Sequence, residues 1–264
     1  MWPVGRRPHA GDMSETTAAR RGPSFARHLA VPVVAALLAG VAAVGAPGVA
    51  HSAPAAGPRA VTDYTDYTDC PALPEGVDPA RWRCEVHTAA PKLTMGKVTL
   101  TLAPITMTHA EGPLPDGTDG GVWGGMHSTP TVVPGGLTGT PAGGHAPAPG
   151  LAIRPEYGGR SDFYTGRLSL RFRLLSPLLP HGCVIGASEP VDFQVKRSGP
   201  SKWVSQDPPV IEFSAYDDTF AAPAPEHCGP LTGFLGRRLG LPAATGNLLS
   251  YDALYTFRTY DRLS

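Results

Sequence analysis

Residues 167–174 alternate without a break. Leu168, Leu170, Phe172 and Leu174 fall on one side, and Arg167, Ser169, Arg171 and Arg173 on the other. A period of two held over eight residues is the mark of a strand with one face on a core and one toward water; a helix would scatter the same residues around its axis. Such a strand wants antiparallel neighbours. Shorter versions occur at Val191-Asp192-Phe193-Gln194-Val195 and at Ile211-Glu212-Phe213-Ser214-Ala215. In residues 92–108, Val98, Leu100 and Leu102 alternate with Thr99 and Thr101. Residues 251–260, aromatic and Thr-rich, read as a closing strand. Gly (32) and Pro (30) make up nearly a quarter of the 264 residues, which favours turns over helices. Residues 231–239 suit one short helix, with Leu231, Phe234, Leu235 and Leu239 on one side. The expected fold is mainly β: an antiparallel β-sandwich or barrel-like domain with one short helix in the C-terminal half and long Gly/Pro-rich loops.

The N-terminal region reads differently. Arg20, Arg21, Arg27 and His28 precede an uncharged apolar run, Leu29 to Val44, and small residues follow through Ala53. Basic, apolar and small-residue regions in that order predict a secretory signal over residues 1–53, cleaved after Ala50, Ser52 or Ala53, with Ala53 favoured. The run is shorter than the ~20 residues of a permanent spanning helix, so the mature form is not expected to span a membrane. The alternative is an envelope component anchored by Leu29–Val44. Arg20-Arg21 lacks the apolar residues that a twin-arginine signal places after the pair. Without residues 1–53 the chain holds 17 basic and 20 acidic residues, a net charge near −3. Mild acidity argues against nucleic acid or an anionic membrane as partner.

Cys70, Cys84, Cys183 and Cys228 all lie beyond the signal. An even count in an exported chain points to two disulfides, with three pairings possible. Cys70–Cys84 with Cys183–Cys228 closes the shortest loops, and each bridge is worth ~3–4 kcal/mol on the chain-entropy model. No C-x-x-C occurs and no His stands in a paired ligand spacing with the cysteines, so bridges are preferred to a metal site. Residues 54–69 read as a flexible lead-in carrying a repeated Asp-Tyr-Thr, and residues 70–264 as one β-rich domain. Within it, residues 70–91 read as a Pro-rich, cysteine-bounded knot. Residues 109–150 read as a long loop region, part of it a hairpin and part, around 138–150, loose.

Several stretches stand in a distinctive order: Val132-Val133-Pro134-Gly135-Gly136-Leu137, Ser176-Pro177-Leu178-Leu179-Pro180-His181-Gly182-Cys183-Val184-Ile185-Gly186, Asp218-Thr219-Phe220-Ala221-Ala222-Pro223, Cys228-Gly229, and the run from Leu239 to Asn247. In these the chain resembles a group of secreted actinobacterial proteins of unknown function, over most of the mature chain but weakly before residue 132. The resemblance implies export, a β-rich domain and use of the cysteines in pairs; it carries no activity, cofactor or catalytic residue. The 109–150 region and the aromatic C-terminus depart from it.

Motifs with chemical content are few. His109, Glu111, Asp116, Asp119 and His127 lie close in sequence, but their spacing matches no metal motif and a solvated loop is preferred. Asp63, Asp66 and Asp69, or Asp116 and Asp119, lack the spacing of a calcium loop. No G-x-S-x-G and no phosphate-cradling loop is present. Glu156, Asp162, Glu189, Asp217 and Asp218 are the carboxylates open to a hydrolase, with turns and sheet edges the plainer roles. Arg167, Arg171 and Arg173, with Tyr255 and Phe257, are the candidate surface-binding residues, suited to an anionic polymer or a sugar, although a solvated strand face explains the arginines as well. No metal ligand, catalytic residue or cofactor is assigned. The function expected is an extracellular or envelope-associated protein, non-enzymatic, binding or structural, with a cell-wall or envelope component as a partner. A secreted hydrolase acting on a wall or environmental polymer is the rival.

Overall fold

The alternating segments are strands, and they assemble into two antiparallel sheets. The computed structural model describes residues 66–139 and 149–263, all within one compact unit. The expected signal, residues 1–53 with the apolar run Leu29–Val44, and most of the lead-in lie outside the described residues, as do residues 140–148 of the expected loose segment. The strands in chain order are β1 (Arg83–Ala89), β2 (Lys92–Met95), β3 (Val98–Thr101), β4 (Ile105–Pro113), β5 (Asp119–Ser128), β6 (Thr131–Val132), β7 (Ala152–Asp162), β8 (Arg167–Leu175), β9 (Val184–Ile185), β10 (Val191–Gln194), β11 (Lys196–Arg197), β12 (Lys202–Gln206), β13 (Pro209–Asp217) and β14 (Pro225–Glu226). Helix α1 (Thr232–Leu239) and the long β15 (Leu248–Thr259) complete the order.

The first sheet runs β11-β13-β15-β1-β4-β5, with β12 beside β13 and the β2–β3 hairpin on β15. The second runs β14-β9-β8-β7-β6, with β10 beside β8. Both paths are open. Among the described residues the fold is therefore mainly β with a single short α-helix, as the periodicities indicate, and it is not a closed barrel.

One core joins the two sheets. Leu93, Leu100 and Leu249 from the first meet Leu170, Phe172, Leu174 and Ile185 from the second, and Leu235 and Leu239 of α1 close one side. Helix α1 stops at Gly240, which takes the left-handed conformation (φ 70°) open to glycine. The tip of the β2–β3 hairpin docks on this helix end. Lys97 N–H donates to the Leu239 carbonyl (2.7 Å), and Gly96 (φ 59°) lies so close to that backbone that a side chain would collide with the Leu239 and Gly240 carbonyls.

The disulfides pair Cys70 with Cys84 (Cα–Cα 5.8 Å) and Cys183 with Cys228 (4.3 Å). Cys183 and Cys228 are fully buried in the shared core. Such bridges belong to an oxidising compartment. No helix among the described residues is long and apolar enough to cross a membrane.

Two regions differ from the sequence reading. The segment 70–91 is not only a knot: its second half is β1, a central strand between β15 and β4. The 109–150 region holds the hairpin expected for part of it, formed by β4 and β5 across a tight turn, but strand already covers the first residue of the region and continues into β6. Gly in that turn and along β5 hid the pairing, because composition reports turn-formers and not the hydrogen bonds that a neighbouring strand supplies.

Candidate functional site

Period-two geometry sends Arg83, Glu85, His87 and Ala89 of β1 to one face and Cys84 and Val86 to the other. On β4 the same face carries Ile105, Met107, His109 and Glu111. The strands pair so that Glu85 stands opposite His109, Arg83 opposite Glu111 and His87 opposite Met107. On the other flank of β1, Tyr255 of β15 stands opposite His87. A bulge where β4 meets β5, between Thr108 and His109, adjusts the pleat here.

Over this face lies a cavity of about 500 Å³. Its floor is β1, β4, β13 and β15; its other wall is β8 and the loop from Asp162 to Gly166. That loop is held firmly. Asp162 Oδ1 accepts the N–H groups of Tyr164 and Thr165 (both 3.1 Å), Val195 N–H donates to the Gly166 carbonyl (2.8 Å), and Gly166 (φ 74°) packs against the Val195 backbone where no side chain fits. The cavity has two chemical ends. Leu102, Ile105, Met107, Leu168, Leu170 and Leu249 line an apolar end, and Arg83, Glu85, His87, His109 and Glu111 a polar one.

The polar end is buried and crowded. His109 is 1% exposed and Glu85 4%. His87 Nε2 and Glu85 Oε2 share a hydrogen bond (3.1 Å). Arg83 Nε lies 2.6 Å from Glu85 Oε1 and donates to Glu111 Oε1 (2.9 Å), so one guanidinium serves two carboxylates. Neither ring nitrogen of His109 has a hydrogen-bond partner; its Nε2 is 3.8 Å from Glu85 Oε2 and 3.7 Å from Glu111 Oε2. Burial pushes the His109 imidazole below its ordinary value, toward the neutral form. Burial opposes ionisation of Glu111, but His109 and Arg83 outweigh it and hold that carboxyl well below the ordinary range. At 3.7 Å His109 is beyond hydrogen-bonding length, so Arg83 is the partner that the geometry supports. Rings lock the imidazoles: Tyr255 stacks on His87 (5.0 Å, 11°) and Phe163, at the tip of the covering loop, stacks on His109 (3.7 Å, 8°). Burial pushes the Tyr251 phenol, in the same floor, up to about 12.

Of the candidate surface residues, Tyr255 and Arg167 line this cavity. Phe257 does not; it lies under the Arg83 guanidinium (5.2 Å). The arginines do not form a free row. Arg171 is half-buried, and Arg173 grips Glu156 through Nε and Nη2 (2.7 and 2.8 Å) and donates to the His181 carbonyl (2.8 Å). Strand β7 brings Glu156 beside β8 and turns the arginine face into an ion-pair surface. The Arg173 fork, then Arg154, holds the Glu156 carboxyl below its ordinary value. A depressed carboxylate adds stability that is complete above its unfolded pKa and is lost as pH falls through its folded one. Glu156→Gln is therefore expected to be less stable than the parent at neutral pH by up to about 1 kcal/mol, the usual size for a partly exposed pair. Urea unfolding at several pH values should show that gap closing in acid.

Asp116 and Asp217 serve local contacts. Asp116 accepts Thr118 N–H (2.9 Å) and its hydroxyl (2.6 Å). Asp217 is fully buried and accepts the N–H groups of Gln194 (2.7 Å) and Thr219 (2.8 Å). His127 pairs with Asp69 (2.5 Å) at the surface, away from His109. His109 and Glu111 do reach the site, while Glu85 and His87 are the residues that sequence reasoning passed over. Their signal was present: Cys84 and Val86 alternate with Glu85 and His87, which marks a strand whose second face carries polar groups.

No protein-family model, curated protein or solved structure matches this chain.

Proposed function

We propose that this is an extracellular or envelope-associated, non-enzymatic binding protein that holds a small amphipathic molecule between its sheets. The observation that carries this reading is the two-ended cavity: about 500 Å³, apolar along most of its wall, with a buried polar cluster at one end. That size and lining are typical of small-molecule sites, in which a few polar groups fix orientation and apolar wall supplies affinity. The two carboxylates at the polar end share one guanidinium, which favours a head group that donates hydrogen bonds. The paired cysteines, and the expected signal, support an oxidising compartment outside the cytoplasm.

A fluorescent apolar probe tests the reading. Probe binding to the parent protein, competed by amphipathic amines, is the expected result. Ala253 lies in the cavity floor. Ala253→Leu should weaken probe binding by about tenfold while leaving the two disulfides intact, as expected when about 1–2 kcal/mol of contact is lost. Absence of probe binding, or equal binding by the variant, overturns the proposal.

A hydrolase remains the second reading because Glu85 and Glu111 both face the cavity. It is less well supported. They stand on neighbouring strands of one wall, share Arg83, and Glu111 is held low, whereas a general acid needs its carboxyl raised. Turnover of a chromogenic glycoside that disappears in Glu85→Gln would replace the binding reading with this one.

A further inference from the structure

We propose that Glu85, His87 and His109 form a binding site for one divalent transition-metal ion, of the zinc class, at the polar end of the cavity. Each residue offers one ligand atom, and the three atoms lie within 4.8 Å of one another. A tetrahedral ion held at 2.0–2.2 Å sets its donors roughly 3.3–3.6 Å apart; His87 Nε2 and His109 Nε2 lie 3.1 and 3.8 Å from Glu85 Oε2, so small side-chain movements bring the set to that spacing. Two imidazoles and one carboxylate are a donor set for Zn²⁺, Co²⁺, Ni²⁺ or Cu²⁺; Ca²⁺ and Mg²⁺ prefer oxygen alone.

The independent observation is His109. Its ring is 1% exposed and lines the cavity, yet both nitrogens lack a hydrogen-bond partner. Burying an imidazole with neither nitrogen satisfied is costly, and buried polar groups in native proteins are normally paired. A metal ion would satisfy one of these nitrogens, and in the same step would compensate a second carboxylate that Arg83 alone has to neutralise.

The arrangement is also rigid. Glu85 and His109 are cross-strand partners, and His87 stands two residues along β1 on the same face. The ring stacks with Tyr255 and Phe163 fix both imidazole planes. Such a site differs from a surface cluster, which must order its ligands when the ion arrives. Glu111, with Oε2 at 3.7 Å from His109 Nε2, is placed to complete the coordination or to hold a water on the ion. All three donors line the cavity, so an ion held by them would be reached from it. The proposal stands on these donors alone and needs no organic occupant.

The test is metal titration of the full-length, tag-free protein after dialysis against a chelator, using Co²⁺ for its visible spectrum and Zn²⁺ by calorimetry. One ion per chain, tetrahedral Co²⁺ bands and a raised Tm are the expected results. His87→Gln and His109→Gln should each weaken binding by at least about 100-fold, since loss of one ligand from a three-ligand site removes more than an outer-shell change does. His127→Gln, at an exposed histidine outside the cluster, should bind like the parent. His87 is the less buried of the two ligand rings, so its variant serves if His109→Gln does not fold. Absence of stoichiometric binding by the parent, or binding unchanged in His87→Gln, overturns the proposal. Apolar-probe binding that persists in the absence of metal separates its failure from that of the cavity reading.

Discussion

Phe172→Ala is expected to lower stability by about 3–5 kcal/mol, the range for removing a fully buried aromatic ring. Phe172 is 0% exposed, on β8 at the centre of the core that both sheets share, and meets the Phe193 ring edge-on (6.4 Å, 76°). β8 also pairs with β7, β9 and β10, so the loss falls where most of the second sheet converges. A domain of this size shifts by roughly 2–4 °C in Tm per kcal/mol, so a fall of about 6–20 °C should appear in a thermal melt. Phe172→Leu keeps most of the volume and should lose much less. A Tm within 2–3 °C of the parent for Phe172→Ala would mean that the sheets do not share this core.

Asn247→Ala is expected to cost about 2–4 kcal/mol, although it removes only a short side chain. Asn247 is 3% exposed and binds three separate segments. Its Oδ1 accepts the Gly96 N–H (3.0 Å), and its Nδ2 donates to the carbonyls of Phe220 (2.9 Å) and Ala243 (3.0 Å). Alanine would leave the partly buried Gly96 N–H and the Phe220 and Ala243 carbonyls without this partner, at the point where the β2–β3 hairpin meets the end of α1. Asn247→Asp keeps the acceptor but cannot donate and adds a charge, so it should not rescue. Hydrogen exchange gives the local signature: protection at Gly96 and Lys97 should fall before that of β8. A variant as stable as the parent would show that these contacts are not made in solution.

Asn247 illustrates how much a sequence can withhold. It is the chain's single asparagine, and nothing local says that it is buried or that its amide reaches Gly96, 151 positions away. The strands were more legible. The alternations at 167–174, 191–195 and 211–215 correspond to β8, β10 and β13, because the alternation of side chains across a pleat is a local property. Helix α1 was legible for the same reason. The pairing of cysteines was legible because short loops close cheaply. The alternation put the arginines of β8 on the face away from the shared core, but it could not show that Arg173 meets Glu156, which belongs to another strand.

The cavity shows the division most plainly. The residues themselves determine that Glu85 and His87 share one face of a strand, and that His109 and Glu111 share one face of another, since each pair is two positions apart. They do not determine that the two faces are the same face. That follows from β1 lying beside β4 with Glu85 opposite His109; a slip of one residue would turn one pair to the far side of the sheet. Register is set by the sum of packing on both faces, with Cys84 and Val86 buried on one and the loop carrying Phe163 closing over the other. The chain supplies the chemistry of the site, and the tertiary structure alone brings its donors within reach of a single ligand.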